Sequence, residues 1–275
     1  MPSSFPFRLA AIDLDGTLLG PDSTVGKRNR AAVQTLVEAG VVVVLASGRM
    51  HASMLRIHDE LGLDTPIVSY NGSMVVDPQS GETLLHCTLA AAIAQDIVAW
   101  GESAGKHLNY YIDDTLYVDR ESPWSDLYHR RTGSAIVPVG SLHRFDGQSP
   151  TKVIFVGEPA ETLRYQAEWK ERLGDRAYMV RTMPEYLEFL NPGADKSSGV
   201  AAVARRYGIA AEDVAAFGDS PNDIPMLEGA GLAVVMPSAH EEVLAHADFV
   251  PTGSPEDAFA CALEALGAPD GANHR

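Results

Sequence analysis

Leu9-Ala10-Ala11-Ile12-Asp13-Leu14-Asp15-Gly16-Thr17-Leu18 is the stretch on which the reading of the fold turns. An apolar run ends on two carboxylates set two residues apart, and a Gly-Thr pair breaks the pattern at once. A buried strand of this form in a parallel α/β sheet aims Asp13 and Asp15 into the crevice beyond its carboxyl end, where such sheets place their chemistry. Two carboxylates about 4 Å apart repel by roughly 4 kcal/mol at an effective dielectric near 20. A divalent cation between them, or a proton on one of them, relieves that cost, and both arrangements belong to active sites. Taken alone, Asp-x-Asp-Gly-Thr reads more readily as a surface turn, because Asp and Gly are ordinary turn formers. The rest of the chain tips the balance.

Around this stretch, strand and helix signals alternate. Residues 7–13 read as a buried strand, 27–39 as a helix ending at Gly40, and 41–46 as a second buried strand. A helix at 49–61, stopped by Gly62, and a strand at 67–70 follow. Near-continuous apolar runs separated by helices predict a parallel sheet covered on both faces. Asn71-Gly72 predicts a hairpin turn into a strand at 74–76. Between about residues 84 and 186 the pattern changes to hairpins mixed with helices. Strands are expected at 107–112, 116–119, 135–139, 152–156, 177–181 and 186–190, with helices at 90–104, 124–131 and 160–173. Asp113-Asp114 reads as a hairpin turn, and the polar stretch 141–150 as an exposed loop. Alternation then returns, with helices at 196–207, 224–227, 239–245 and 256–266 and strands at 214–217, 232–235 and 249–250. The expected fold is α/β: a doubly wound, parallel-sheet, Rossmann-like core from residues 1–83 and 187–275, with an α+β domain, 84–186, inserted.

A chain of 275 residues is long enough to bury two cores, and 45% hydrophobic with 21% charged residues is ordinary soluble composition. No apolar run reaches the length of a membrane span, and Met1-Pro2-Ser3-Ser4-Phe5 shows no basic region leading into an apolar core. The two cysteines, Cys87 and Cys261, are far apart and lack metal-type spacing. A cytoplasmic protein with reduced thiols, a monomer or homodimer without a membrane partner, is expected. Thirty-seven acidic against 21 basic residues give a net charge of −16, a field that opposes nucleic-acid binding. His240 and His246 are six apart, about 120° around a helix, which is not the spacing of a His-Glu-x-x-His metal site.

Three further signals fall at the ends of expected core strands. Ser47-Gly48-Arg49 follows a run of valines, and a hydroxyl with the backbone N–H groups of the next helix start offers an anion site, although Ser is also a common helix cap. Lys196 sits at a helix start, where the dipole already supplies positive charge; a phosphate or carboxylate in the same space would explain it, while a solvated surface lysine is the ordinary reading. Gly218-Asp219-Ser220-Pro221-Asn222-Asp223 ends a strand on one acid, with another a helical turn later and an Asn between. Hard oxygen donors of this kind suit Mg²⁺.

Together these four pieces resemble the motifs of the haloacid dehalogenase-like phosphohydrolases. Asp13-Leu14-Asp15-Gly16-Thr17, Ser47, Lys196 and the 218–223 stretch match the family's four motifs in order and spacing. The inserted hundred residues are similar to the type IIB cap of the Cof-type phosphatases, as are Ser47-Gly48-Arg49, Tyr70-Asn71-Gly72 and Leu187-Glu188-Phe189. One departure is Ser197-Ser198 after Lys196, where the family usually has Gly; Gly199 follows closely.

The resemblance implies attack by Asp13 on phosphorus, with Asp15 as acid and then base through an aspartyl-phosphate. It implies Mg²⁺ held by Asp13, the Asp15 backbone carbonyl, Asp219 and Asp223, the last as ligand or support. Ser47, Gly48, Lys196 and Asn222 would hold the phosphoryl oxygens. Arg49, Asn71 and Asn191 are candidates for substrate contact, and the cap would close over the site and choose the leaving group. Tyr110, Tyr111, Asp113, Asp114, Tyr117 and Arg181 could line its mouth, but structural roles are expected for most of them. The implied partner is a small phosphorylated metabolite, a sugar phosphate or cofactor-related phosphomonoester. A phosphomutase of the same superfamily or a noncatalytic phospholigand-binding regulator are the alternatives; a dehalogenase is disfavoured because halide departure needs no acid at Asp15. If Lys196 holds the phosphoryl group, its removal is expected to cost activity while the thermal midpoint of the apo protein holds or rises.

Overall fold

The computed structural model describes residues 5–267, which divide into two compact units. The first takes residues up to 47, 54–85 and 195 onward; the second takes 48–53 and 86–194.

The chain enters the first unit on β1 (Leu9–Ile12), all four residues buried. Helix α1 (Lys27–Glu38) is followed by Gly40, whose φ of +76° lets the chain turn out of the helix. Strand β2 (Val42–Leu45) lies parallel to β1, Leu9 opposite Val42 and Ile12 opposite Leu45. Helix α2 (His51–Glu60), β3 (Ile67–Ser69) and β4 (Met74–Val76) follow. β3 and β4 pair antiparallel with Ser69 opposite Met74, so the expected hairpin is present and its loop of four residues holds Asn71-Gly72. Tyr70 and Asn71 adopt left-handed φ of 52° and 53° within it. A short strand β5 (Thr83–His86), not expected from the sequence, joins β4 in a three-stranded sheet.

The second unit is built on a six-stranded sheet. Its elements are α3 (Ala91–Ser103), β6 (His107–Ile112), β7 (Thr115–Val118), α4 (Pro123–Thr132), β8 (Ile136–Pro138), β9 (Lys152–Val156), α5 (Pro159–Leu173), β10 (Tyr178–Met183) and β11 (Tyr186–Leu190). The strand order is β10-β11-β9-β6-β7-β8, with β7 and β8 parallel and the other pairs antiparallel. Leu108, Tyr110, Val153, Phe155, Leu187 and Phe189 share a core with Ile93 and Ile97 of α3 and Trp169 of α5. The stretch 141–150 is less open than its polarity suggests: Leu142 is buried in this core, and Glu102 accepts its amide at 2.6 Å. Residues 187–194, expected in the first unit, belong to this one. Leu187 and Phe189 alternate inward from a strand flanked by β9 and β10, a pairing that no local signal announces.

The chain then returns to the first unit through α6 (Lys196–Tyr207), β12 (Val214–Gly218), α7 (Ile224–Glu228), β13 (Leu232–Val235), α8 (Glu241–Leu244) and α9 (Ala258–Leu266). The main sheet is parallel, in the order β13-β12-β1-β2. Side chains alternate across β1. Ala10 and Ile12 face a core with Val33 and Leu36 of α1 and Phe259 and Leu263 of α9, whereas Leu9 and Ala11 face Val200 and Val203 of α6 and Leu227 of α7. Both faces are thus covered, which is why the strands read as unbroken apolar runs. The strand expected at 249–250 is reduced to a single bridge between Val234 and Phe249.

Candidate active site

Beyond β1, the Asp13 amide donates to the Phe217 carbonyl at 3.0 Å, which carries the β1–β12 pairing one residue further and fixes the acid at the strand end. The Leu14 carbonyl then accepts the amides of Leu18 and Leu19 at 3.0 and 2.8 Å, turning the chain. Gly16 lies in this turn with φ +90°. A Cβ there would sit 2.3 Å from Asp219 Oδ2, so this glycine is required both by conformation and by the approach of the other acid. Gly16→Ala should therefore lower stability by about 1–3 kcal/mol and displace the Asp219 carboxylate. Thermal unfolding and a metal titration of the variant check both effects.

Lys196 is the first residue of α6, whose preceding Asp195 accepts the Ser198 amide at 2.7 Å in a capping box. The capping box gives Ser198 a local role two residues after the lysine. Glycine is needed at Gly199, where a Cβ would meet Val68 Cγ1 at 2.4 Å. The Lys196 side chain is 0% exposed, so the ordinary surface reading of this residue is overturned. Its ammonium donates to Asp13 Oδ1 at 2.5 Å and to Asp223 Oδ1 at 2.6 Å. Burial disfavours its charge, but the two carboxylates outweigh burial and hold its pKa above the usual lysine range.

Asp223 is fully buried and spends its other oxygen on the amides of Asp219 and Ser220, at 3.1 and 3.0 Å. Asp219 accepts from the Thr17 hydroxyl at 3.2 Å and from the Ser220 hydroxyl at 3.1 Å. Asp13, Asp219 and Asp223 each offer an oxygen within 4.8 Å of the others. Burial and then Asp223 push the Asp13 carboxyl well above its ordinary value, against the pull of Lys196. The same causes raise Asp219 to about 6. Three acids thus face one ammonium, and the excess negative charge with all-oxygen donors fits a divalent cation. The exposed Asp15 side chain lies outside this trio; its expected part in metal binding is by its backbone carbonyl.

Ser47 is buried, with its amide on the Val68 carbonyl at 2.9 Å and its own carbonyl accepting the Asn71 amide at 3.0 Å. Asn71, a candidate for substrate contact, is 0% exposed, and its Oδ1 accepts from Asn222 Nδ2 at 2.9 Å. It fixes the orientation of Asn222, a role that the separation of 151 residues concealed.

The remaining candidates lie in the second unit. Gly48 and Arg49 are half-buried. The expected anion site at the following helix start is partly taken, because the Asp114 carboxylate accepts the His51 and Ala52 amides at 3.1 and 2.8 Å. The Asn191 carboxamide serves the backbone, with Nδ2 on the Thr88 carbonyl and Oδ1 on the Gly193 amide, at 2.9 and 2.8 Å. Sequence reading missed Thr17 and Ser220, which flank the acids in the motifs themselves and could have been found as donors to them. Tyr110 and Tyr111 are core residues, 1% and 0% exposed, in line with the structural roles expected of them.

A parallel sheet whose central strands end on Asp13 and Asp219, with a buried lysine between acids, defines a hydrolase class. The chain belongs to the haloacid dehalogenase-like hydrolases, whose family model matches residues 10–263. It is 31% identical over 242 residues to the HMP-PP phosphatase of Serratia proteamaculans, covering 85% of each chain. It is 29% identical over 253 residues to that of Cronobacter sakazakii, covering 89% of each. Among solved structures, one from Thermotoga maritima matches with a TM-score of 0.82 at 28% identity, covering 94% of this chain and 97% of that one. A haloacid dehalogenase-like hydrolase from Bacteroides thetaiotaomicron matches with a TM-score of 0.85 at 26% identity, covering 94% and 98%. Among the described residues no helix is long and apolar enough to cross a membrane.

Proposed function

We propose that this chain is a Mg²⁺-dependent phosphatase that cleaves small phosphomonoesters through an aspartyl-phosphate on Asp13. The observation that carries the reading is the contact of Lys196 with Asp13 at the strand end, within a trio of acids whose charge one lysine does not balance. Asp13 Oδ attacks phosphorus, and the P–O bond to the leaving alkoxide breaks as Asp15 gives that oxygen a proton. Asp15, exposed and so able to meet solvent, then takes a proton from the water that attacks the phosphoryl-Asp13. Ser47, Lys196 and Asn222 hold the phosphoryl oxygens and offset the charge of the transition state. Asp13, Asp219 and the Asp15 carbonyl would hold Mg²⁺, with Asp223 orienting Lys196 and the 219–220 backbone. The ion would supply charge neutralisation at the phosphoryl group.

Phosphate release from a panel of phosphorylated metabolites tests this reading, with HMP-PP first because the relatives carry that name, followed by sugar phosphates and cofactor-related monoesters. EDTA should abolish release and Mg²⁺ restore it; full turnover in metal-free buffer would remove the site from the mechanism. A pH dependence follows from Asp219. Its raised pKa means that the folded, metal-free protein binds more protons than the unfolded chain between about pH 4 and 6. Metal-free stability should therefore fall as pH rises through about 6, and saturating Mg²⁺ should remove the fall. Thermal midpoints across pH, with EDTA and with Mg²⁺, measure it.

A further inference from the structure

Residues 48–53 pack with the second unit, and two charged side chains distant in sequence hold them there. Asp114 places one carboxylate oxygen on the His51 amide and the other on the Ala52 amide, capping the first turn of α2. Lys152, 1% exposed, donates to the Gly48 carbonyl at 2.9 Å and to Glu188 Oε2 at 2.9 Å. The ammonium lies 5.1 Å from the centre of the Tyr111 ring, and the Thr182 hydroxyl donates to Glu188 at 2.6 Å. The lysine is thereby fixed on several sides, and it fixes Gly48 in turn.

Asp114 also stands where the local turn asks for something else. Ile112 pairs with Thr115, so Asp113-Asp114 forms a two-residue hairpin loop, with φ of 49° and 53°. A loop with two left-handed residues accepts Asn or Asp at its first position and favours Gly at its second. An Asp at the second position carries left-handed strain that Gly would not. Its carboxylate, reaching 62 residues back along the chain to a helix start, gives that residue a use in place of Gly.

We propose that Asp114 is a positioning residue for the phosphoryl-binding loop. With Lys152 it fixes residues 48–52, and Ser47, one peptide bond away from Gly48, is thereby presented in the orientation that holds the transferring phosphoryl group. The inference rests on the function proposed above. A plain helix cap would affect folding alone.

Asp114→Gly separates the two roles, because Gly suits the hairpin while the carboxylate is lost. The gain in the turn offsets the loss of the cap, so the thermal midpoint should change little, and His51 and Ala52 amides should exchange faster with solvent. The kcat on the best phosphomonoester should fall about tenfold with KM little altered, the scale of one lost cap expressed in the transition state. Asp114→Asn tolerates the left-handed turn and keeps one acceptor, so it should recover most of the loss. Full kcat in Asp114→Gly, or an Asn variant no better than the Gly variant, would overturn the proposal. The wild-type assay run alongside separates the two readings. An active wild type with an unaffected Gly variant removes only the positioning role, whereas a wild type inactive on every ester removes the proposed function and this inference with it.

Discussion

Asp13→Asn should abolish turnover, by roughly 10³-fold or more, while leaving the fold intact. The amide is nearly isosteric at the strand end, and its oxygen can still accept from Lys196, but it cannot form the covalent intermediate. Stability should move the other way. Burial and Asp223 make the ionised Asp13 unfavourable in the folded protein, so removing its charge should hold or raise the metal-free thermal midpoint near neutral pH. Steady-state kinetics and thermal scans in EDTA check the two halves together. A variant that kept most of its turnover would place the nucleophile elsewhere.

Lys196→Met should lower kcat/KM by roughly 10²–10³-fold, the loss expected for one preorganised contact to transition-state charge. Arg should rescue poorly, because a planar guanidinium does not fit the place of a compact ammonium held at 2.5 and 2.6 Å. Here the structure reverses the expectation for stability. At a solvated helix start, loss of the lysine would leave the midpoint unchanged or higher. In this molecule the lysine is buried between Asp13 and Asp223, and its removal leaves those acids uncompensated. Breaking a buried pair by removing one partner costs about 3–5 kcal/mol, so the metal-free midpoint should fall. Mg²⁺ should recover part of that loss, since it supplies charge to the same acids. An active Lys196→Met enzyme would refute the role given to this residue.

The core sheet was legible because burial on both faces writes itself as unbroken apolar runs, and β13 has the bounds expected of it, as do α6 beside the sheet and β9 and β11 in the second unit. The acids and the lysine were legible as types at strand and helix ends. Their contacts were not, because each joins segments far apart in the chain: Lys196 meets Asp13 across 183 residues and Asn222 meets Asn71 across 151. Burial of Lys196 ran against its charge, and only the partners explain it. β5 escaped notice because its four residues are half-buried or exposed and carry no alternating pattern. The 187–194 boundary was misplaced because β11 is buried along its length like a core strand, and its membership is decided by pairing with β9 and β10. Asp114 read as an ordinary turn residue, since nothing local to a hairpin reveals a helix start 62 residues away.

The proposed mechanism requires a covalent bond between Asp13 and phosphorus. Enzyme quenched during turnover of its best phosphomonoester, reduced with borohydride and digested, would report that bond as homoserine at position 13, because an acyl phosphate is reduced where a free carboxylate is not. Homoserine is expected at Asp13 in the wild-type protein, and none in Asp13→Asn. Sustained phosphate release with Asp13 unmodified, or with the reduced residue at another position, would contradict it.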